Sequence, residues 1–161
     1  MIINHEPFIR SIKLEDFLTN FNHKFIILNI KEEGIEKDVL NLMKKFNINN
    51  FFLLDQSFPF LIKTIFNGEK RTAIRISEYE SYETALNLSG LADWVWIDYF
   101  TKFPLDKIKY TLIKKAGFRI CIVSPELQGF PIQKALSLKQ FLGKSEIEID
   151  AVCTKQPSIW C

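Results

Sequence analysis

The chain has 161 residues, of which 47% are apolar and 25% charged, a balance typical of a globular domain with a sizeable core. The net charge is +2 and basic and acidic residues alternate along the chain, which argues against a dedicated nucleic-acid-binding protein. Three scattered cysteines exclude a disulfide framework or a zinc knuckle. No apolar run approaches the ~20 residues of a spanning helix and no signal peptide is visible. We therefore expect a cytoplasmic protein without a transmembrane segment.

Short apolar runs alternate with helical patterns along the whole chain. The predicted strands cover 25–30, 51–54, 72–76, 94–97, 118–123 and 148–153. The predicted helices cover 11–21, 36–46, 58–66, 81–88, 105–115 and 132–142, with Ser11 and Ser81 as caps and Gly143 as a stop. The strands are rich in β-branched and aromatic residues and show no polar alternation, which predicts a parallel sheet buried on both faces.

The spacing of the strands indicates a (β/α) repeat. Their carboxyl ends fall at intervals of roughly 20 to 30 residues, at Lys31, Asp55, Ser77, Asp98, Ser124 and Thr154. Two architectures accept six such units: most of an eight-stranded TIM barrel, and an open doubly wound parallel sheet. We favour the barrel because polar groups follow nearly every strand, as expected if all the strand ends surround one mouth. No linker divides the chain, so residues 1–161 are predicted to form a single domain.

Several charged side chains follow the strands. Five of them are carboxylates: Asp55, Glu78, Glu80, Asp98 and Glu126. Converging carboxylates hold Mg²⁺ or Ca²⁺ in many sites, but carboxylates also commonly cap helices or pair with Lys and Arg. We expect capping or pairing for at least three of the five. Arg75 lies within a strand and needs a carboxylate partner, for which Glu78, Asp55 and Asp98 are candidates. The resulting pair would orient an anionic ligand or form an internal salt bridge.

Aromatic residues near strand ends have two interpretations. Trp94, Trp96 and Tyr99 would stack on a sugar or lipid headgroup, or they would belong to the core. Trp160 is predicted to pack against the outside or the bottom of the barrel.

Motifs spread along the chain carry a family resemblance. Ile2-Ile-Asn-His5-Glu6-Pro7 is similar to a V-x-x-H-D-P motif, and Leu28-Asn-Ile-Lys31 to (I/L)-E-(I/L)-K. Ser57-Phe58 matches a Ser-Phe pair after the next strand. Lys115-Ala-Gly-Phe-Arg-Ile-Cys-Ile-Val123 and Asp150-Ala-Val-Cys-Thr-Lys-Gln-Pro157 are similar to A-x-x-G-(L/K)-x-V-x-x-W and D-G-(I/V)-x-T-D-x-P. In this order they resemble the glycerophosphodiester phosphodiesterases and their phosphatidylinositol-phospholipase-C-like relatives, which are TIM barrels. The resemblance implies that this chain is an incomplete or divergent TIM barrel containing about strands 2–8.

The resemblance implies metal-assisted phosphodiester hydrolysis. His5 would be the general acid/base and Lys31 would stabilise charge on the phosphodiester. The residues assigned to substrate binding are Ser57, Arg75, Trp96 and Lys155. Those assigned to a divalent cation, Mg²⁺ or Ca²⁺, are Glu6, Asp55, Glu78 and Asp98.

The chain also departs from the family pattern. The H-R-G of strand 1 and the E-x-D of strand 2 have no counterpart, and Asn29 stands where a metal-binding Glu is expected. A neutral amide is a poorer cation ligand than a carboxylate. We therefore expect either a divergent hydrolase with an upstream segment, or an inactive barrel remnant that binds a phosphorylated sugar, a headgroup or a protein. Missing strands would leave an open edge, which predicts self-association or a partner that completes the barrel.

Overall fold

The structure is a computed structural model that describes residues 1–3 and 11–161. It is an α/β fold in which strands and helices alternate. The strands are β1 (Ile26–Asn29), β2 (Phe51–Leu54), β3 (Ala73–Ile76), β4 (Trp94–Ile97), β5 (Arg119–Val123) and β6 (Ala151–Cys153). The helices are α1 (Leu14–Thr19), α2 (Glu36–Lys45), α3 (Phe58–Phe66), α4 (Tyr82–Asn87), α5 (Lys107–Lys115), α6 (Ile132–Lys144) and α7 (Pro157–Trp160), with a 3-10 helix at Pro125–Gln128. The predicted site residues His5 and Glu6 lie outside the described residues.

The chain divides into two compact units, and the first covers Met1–Phe60. Its strands β1 and β2 pair in parallel, with Leu28 opposite Leu53. Apolar side chains of α1 and α2, including Leu18 and Met43, pack with these strands in one buried cluster. Before α1, Ile2 forms an isolated antiparallel bridge with Lys13. The prediction that residues 1–161 form one domain stays a prediction.

The second unit, Leu61–Cys161, contains a four-stranded parallel sheet whose order follows the sequence, β3-β4-β5-β6. One face of this sheet packs with α3, α4, α5 and α6 in a single core cluster, which includes Ile76, Ile97 and Ile122. Because neighbouring residues of a strand point to opposite faces, the alternate positions lie on the other face. There Arg75, Trp96 and Cys121 follow one another across β3, β4 and β5. The parallel sheet confirms the predicted α/β class.

Most predicted elements are confirmed, and the differences have local causes. The predicted strands 51–54 and 94–97 and the predicted helix 58–66 coincide with β2, β4 and α3. Ser81 caps α4 by accepting a hydrogen bond from the Glu83 backbone N–H at 3.1 Å. The predicted cap at Ser11 is wrong, since Lys13 holds the N-cap position of α1 and makes no side-chain cap bond.

Two helix boundaries of the second unit differ from the prediction. Helix α5 starts at Lys107 rather than 105 because the Asp106 carboxylate accepts from the Lys109 N–H at 2.9 Å and caps the first turn. Helix α6 continues through Gly143 to Lys144. The left-handed residue that follows the helix is Glu146, which has a φ of +51°. Gly143 therefore does not act as a stop. No helix of the described part of the chain is long and apolar enough to cross a membrane.

We expect Ile113→Ala to lower the free energy of unfolding by about 2–5 kcal/mol, because Ile113 is fully buried between α5 and the sheet. Ile108→Ala in the same helix is the matched control, since Ile108 is exposed and its truncation should change stability by less than about 0.5 kcal/mol. Urea denaturation of both variants measures the difference. Equal losses would show that α5 does not pack as described.

Candidate functional site

A charged pair lies at the carboxyl ends of β3 and β4. Arg75 Nη1 is 3.1 Å from Asp98 Oδ2, and Asp98 is only 3% exposed. Asp98 Oδ1 also accepts hydrogen bonds from Trp96 Nε1 and Gln128 Nε2, each at 3.2 Å. A buried carboxylate needs such partners to offset its lost hydration. The pairing of Arg75 with Asp98, one of three candidate partners, is thus confirmed.

The turn after β3 approaches the same arginine from a more exposed side. Glu80 Oε1 lies 3.7 Å from Arg75 Nε, and the Glu80 side chain is 45% exposed. Ser77 Oγ donates to Glu80 Oε2 at 2.8 Å and accepts from the N–H groups of Tyr79 and Glu80 at 3.1 Å. Arg75 is therefore fixed by a buried carboxylate on one side and approached by a hydrated carboxylate on the other.

A second carboxylate joins the ends of β5 and β6. Glu126 accepts hydrogen bonds from the hydroxyls of Ser124 and Thr154 and from the Lys155 backbone N–H at 3.2 Å. Burial alone would raise the pKa of Glu126, but the bonds from Ser124 and Thr154 outweigh burial and lower it. Glu126 therefore remains an anion that ties the two strand ends together.

Two further side chains belong to this edge of the sheet. Trp160 Nε1 donates to Ser124 Oγ at 3.1 Å, and the Trp160 ring packs against the core cluster of this unit. The prediction that Trp160 packs on the outside or bottom of a barrel stays a prediction. Burial, followed by the charges of Glu126 and Asp98, raises the pKa of the Cys153 thiol. Cys153 therefore stays protonated beside the two carboxylates. We call the residues Arg75, Glu80, Trp96, Asp98, Ser124, Glu126, Gln128, Cys153, Thr154 and Trp160 the carboxyl-end cluster.

Glu78, a predicted metal ligand, binds the loop after β4. Its carboxylate accepts from the backbone N–H groups of Thr101 and Lys102 at 2.5 and 2.6 Å and from Thr101 Oγ1 at 2.9 Å. Burial opposes the charge, but the bonds from Lys102 and Thr101 lower the pKa of Glu78 to about 2. The charged form of Glu78 is thus an anchor for residues 100–102.

The first unit brings Lys31 and Asp55 together at the carboxyl ends of β1 and β2. Lys31 Nζ lies 3.0 Å from Asp55 Oδ2. Asp55 has a φ of +59°, a left-handed conformation that Asp tolerates better than most residues. The buried Oγ of Ser57, two residues later, has no hydrogen-bond partner within residues 1–3 and 11–161. Asn29 ends β1 and is exposed.

The remaining predicted site residues divide between these places and the core. Lys155 reaches Glu126 through its backbone N–H. Trp94 stacks under the Arg119 guanidinium at 4.4 Å, at the amino end of the sheet. Tyr99 packs edge-on against Phe130 in the core cluster, and Trp94 is buried, which favours the core interpretation of both residues. Gln128 and Trp160 were not predicted as site residues, because no motif connects them to the strand ends. Thr154 was predicted only as the end of a strand.

No group of three or more His, Cys, Asp or Glu side chains is arranged to hold a metal ion within the described ranges. Glu6, one of the four predicted ligands, lies outside them, and the divalent cation stays a prediction.

No protein-family model matches the chain, and no characterised protein shows significant sequence similarity to it. Function is therefore inferred from the geometry of the site.

We expect Glu78→Gln to destabilise the protein at neutral pH, because the amide cannot replace an anion bound by two backbone N–H groups. The pKa of Glu78 is lower in the folded protein than in the unfolded chain, so its stabilisation is present above about pH 4.5 and is lost as the pH falls towards 2. The stability difference between the two proteins should shrink over that window in urea denaturation.

Glu148→Gln removes an exposed carboxylate of the same unit and controls for net charge. A Glu78→Gln difference that is constant from pH 6 to about pH 3 would contradict the anchoring role of the anion.

Proposed function

We propose that the protein binds a small phosphorylated molecule at the carboxyl-end cluster, with Arg75 as the cation that receives the phosphate. The observation that carries this proposal is the asymmetric environment of Arg75. Buried Asp98 holds one side of the guanidinium at 3.1 Å, while exposed Glu80 lies 3.7 Å from the other. Ligands of parallel α/β sheets commonly bind at the carboxyl ends of the strands.

The binding step is an exchange of carboxylate for phosphate. A guanidinium has five N–H donors in a planar fork, so one guanidinium can bind a carboxylate and a phosphate at the same time. The phosphate takes the place of Glu80, whose contact with Arg75 Nε is longer than a hydrogen bond. Asp98 holds the guanidinium in orientation because Trp96 and Gln128 hold Asp98. The fork is therefore ordered before the ligand arrives, which lowers the entropic cost of binding.

For the architecture, we propose a divergent barrel of the glycerophosphodiester-phosphodiesterase type. The order β3-β4-β5-β6 has no reversal, and the core of this unit gathers α3 to α6 on one face of the sheet. A doubly wound sheet instead reverses its strand order and places helices on both faces. The sequential order supports the barrel, together with the resemblance of the sequence motifs.

We expect Glu80→Gln to strengthen the binding of glycerol 3-phosphate, because it removes the carboxylate with which phosphate competes for Arg75. Arg75→Lys should weaken binding roughly tenfold or more, since an ammonium cannot hold Asp98 and phosphate through one planar fork. Isothermal titration calorimetry of each variant measures the affinity.

Glu83→Gln removes the same charge three residues away, from an exposed position in α4, and should leave the affinity close to that of the unmodified protein. The proposal fails if the unmodified protein gives no binding heat, or if Glu80→Gln and Glu83→Gln behave alike.

A second candidate function is phosphodiester hydrolysis, favoured by the position of Lys31. Its ammonium lies at the carboxyl end of β1 and is held by Asp55 at 3.0 Å. The resemblance places at this position the lysine that stabilises charge on the phosphodiester, an electrostatic role that a positioned cation suits. His5 would supply the proton to the leaving alkoxide, as the resemblance implies.

We expect any hydrolysis of glycerophosphocholine in the presence of Mg²⁺ or Ca²⁺ to fall by about 100-fold or more in Lys31→Met. Lys37→Met, which removes an exposed lysine from α2 of the same unit, should retain the activity. Release of choline is the readout. An inactive unmodified protein, or equal activity in the two variants, would overturn hydrolysis and leave the binding proposal to its own test.

A further inference from the structure

Two neighbouring helices of the second unit have a one-sided charge. Helices α5 and α6 contain seven of the 21 basic residues of the chain and none of its 19 acidic residues. The rest of the chain thus has 14 basic against 19 acidic residues, an acidic excess. The near-neutral net charge therefore hides a local excess of lysines on these two helices.

Large apolar side chains are exposed among these lysines. On α5, Ile108 is 74% exposed and Leu112 39%. On α6, Leu136 is 46% exposed and Phe141 41%. Positions 108, 112 and 115 follow the three-to-four spacing of one helix face, so Lys115 lies beside the exposed apolar pair.

The two helices share one outer surface. Helix α5 joins β4 to β5 and α6 joins β5 to β6, and both pack on the same face of the sheet through Ile113 and Leu142. Phe103, just before α5, contacts the Phe141 ring of α6 with a centroid distance of 6.0 Å. Their outward sides are therefore adjacent.

Some lysines of α5 and α6 are neutralised by ion pairs within the protein, and others can bind an anionic partner. Three of the seven lysines form ion pairs: Lys107 with Glu146 at 3.4 Å, Lys109 with Asp106 at 3.5 Å and Lys114 with Asp150 at 3.0 Å. Lys115, Lys134 and Lys144 are exposed, and no ion pair within residues 1–3 and 11–161 involves them. These three lysines can approach an anionic surface without breaking an internal contact.

We propose that the outer face of α5 and α6 docks on an anionic lipid surface, with the three exposed lysines at the headgroups and Ile108 and Leu112 at the acyl boundary. Such a surface offers both anionic charge and an apolar phase, which matches a basic face with exposed aliphatic residues. A nucleic acid offers phosphates but no apolar phase for Ile108 and Leu112. A second copy of this face would present like charges.

The test is sedimentation of the full chain with vesicles of phosphatidylcholine alone or mixed with about one third phosphatidylserine. We expect binding to the mixed vesicles only, weakened by added salt. The triple variant Lys115→Glu, Lys134→Glu, Lys144→Glu should reduce binding by about 100-fold or more. Each lost lysine weakens binding roughly fivefold, and the negative charge of each glutamate weakens it further. Ile108→Gln with Leu112→Gln should weaken binding at unchanged charge.

Matched controls change the same residue types elsewhere. Lys44→Glu in α2 and Phe66→Gln in α3 alter an exposed lysine and an exposed aromatic residue and should leave binding unchanged. The proposal is overturned if mixed vesicles do not bind, or if Lys44→Glu weakens binding as much as the triple variant does. It is also overturned if light scattering shows a dimer that Ile108→Gln with Leu112→Gln dissociates, or if duplex DNA binds and vesicles do not.

Discussion

The contact between Arg75 and Asp98 is the constraint on which the carboxyl-end cluster depends. Asp98 is almost completely buried, and Arg75, Trp96 and Gln128 offset the cost of burying its charge. Removing one partner of such a pair typically costs about 3–5 kcal/mol, because a buried charge is left uncompensated. Replacing both partners by apolar residues of similar volume is often neutral. Stability alone therefore does not require this pair, and orienting the phosphate is the role that the proposed function gives it.

The parallel sheet explains why these particular residues meet. Arg75 and Trp96 are opposite each other across β3 and β4, and Asp98 follows two residues after Trp96 on the same face. The ends of β5 and β6 add Ser124 and Thr154, which Glu126 joins. The sequential strand order and the two-residue alternation thus explain the positions of those cluster residues that lie at strand ends. Helices α3 to α6 contribute no side chain to the cluster, and they cover the opposite face of the sheet.

The sequence predicted those elements of the fold that local patterns encode, such as apolar runs and helix caps. Strand β4 was predicted from its apolar run alone, and Ser81 from its position before α4. The start of α5 was misplaced because Pro104 and Asp106 both resemble helix-start signals, and the Asp106 cap bond decides between them. The end of α6 was misplaced because Gly143 takes an ordinary helical conformation.

The candidate site was predictable only where a single strand carries the signal. Arg75 inside an apolar run requires a carboxylate, and the sequence placed Asp98 among three candidates. Gln128 and Trp160 reach the cluster from a 3-10 helix and a four-residue helix, which no periodic pattern connects to β4 or β5. Their contributions come from tertiary packing. Local sequence patterns carry no information about such contacts.

The central claim is that Arg75 receives a phosphate in exchange for Glu80. A crystal structure of the protein grown with glycerol 3-phosphate tests this most directly. The account predicts a phosphate within hydrogen-bond distance of the Arg75 guanidinium, with Asp98 still paired to it and Glu80 turned away. A phosphate bound elsewhere, with Glu80 still beside Arg75, would contradict it.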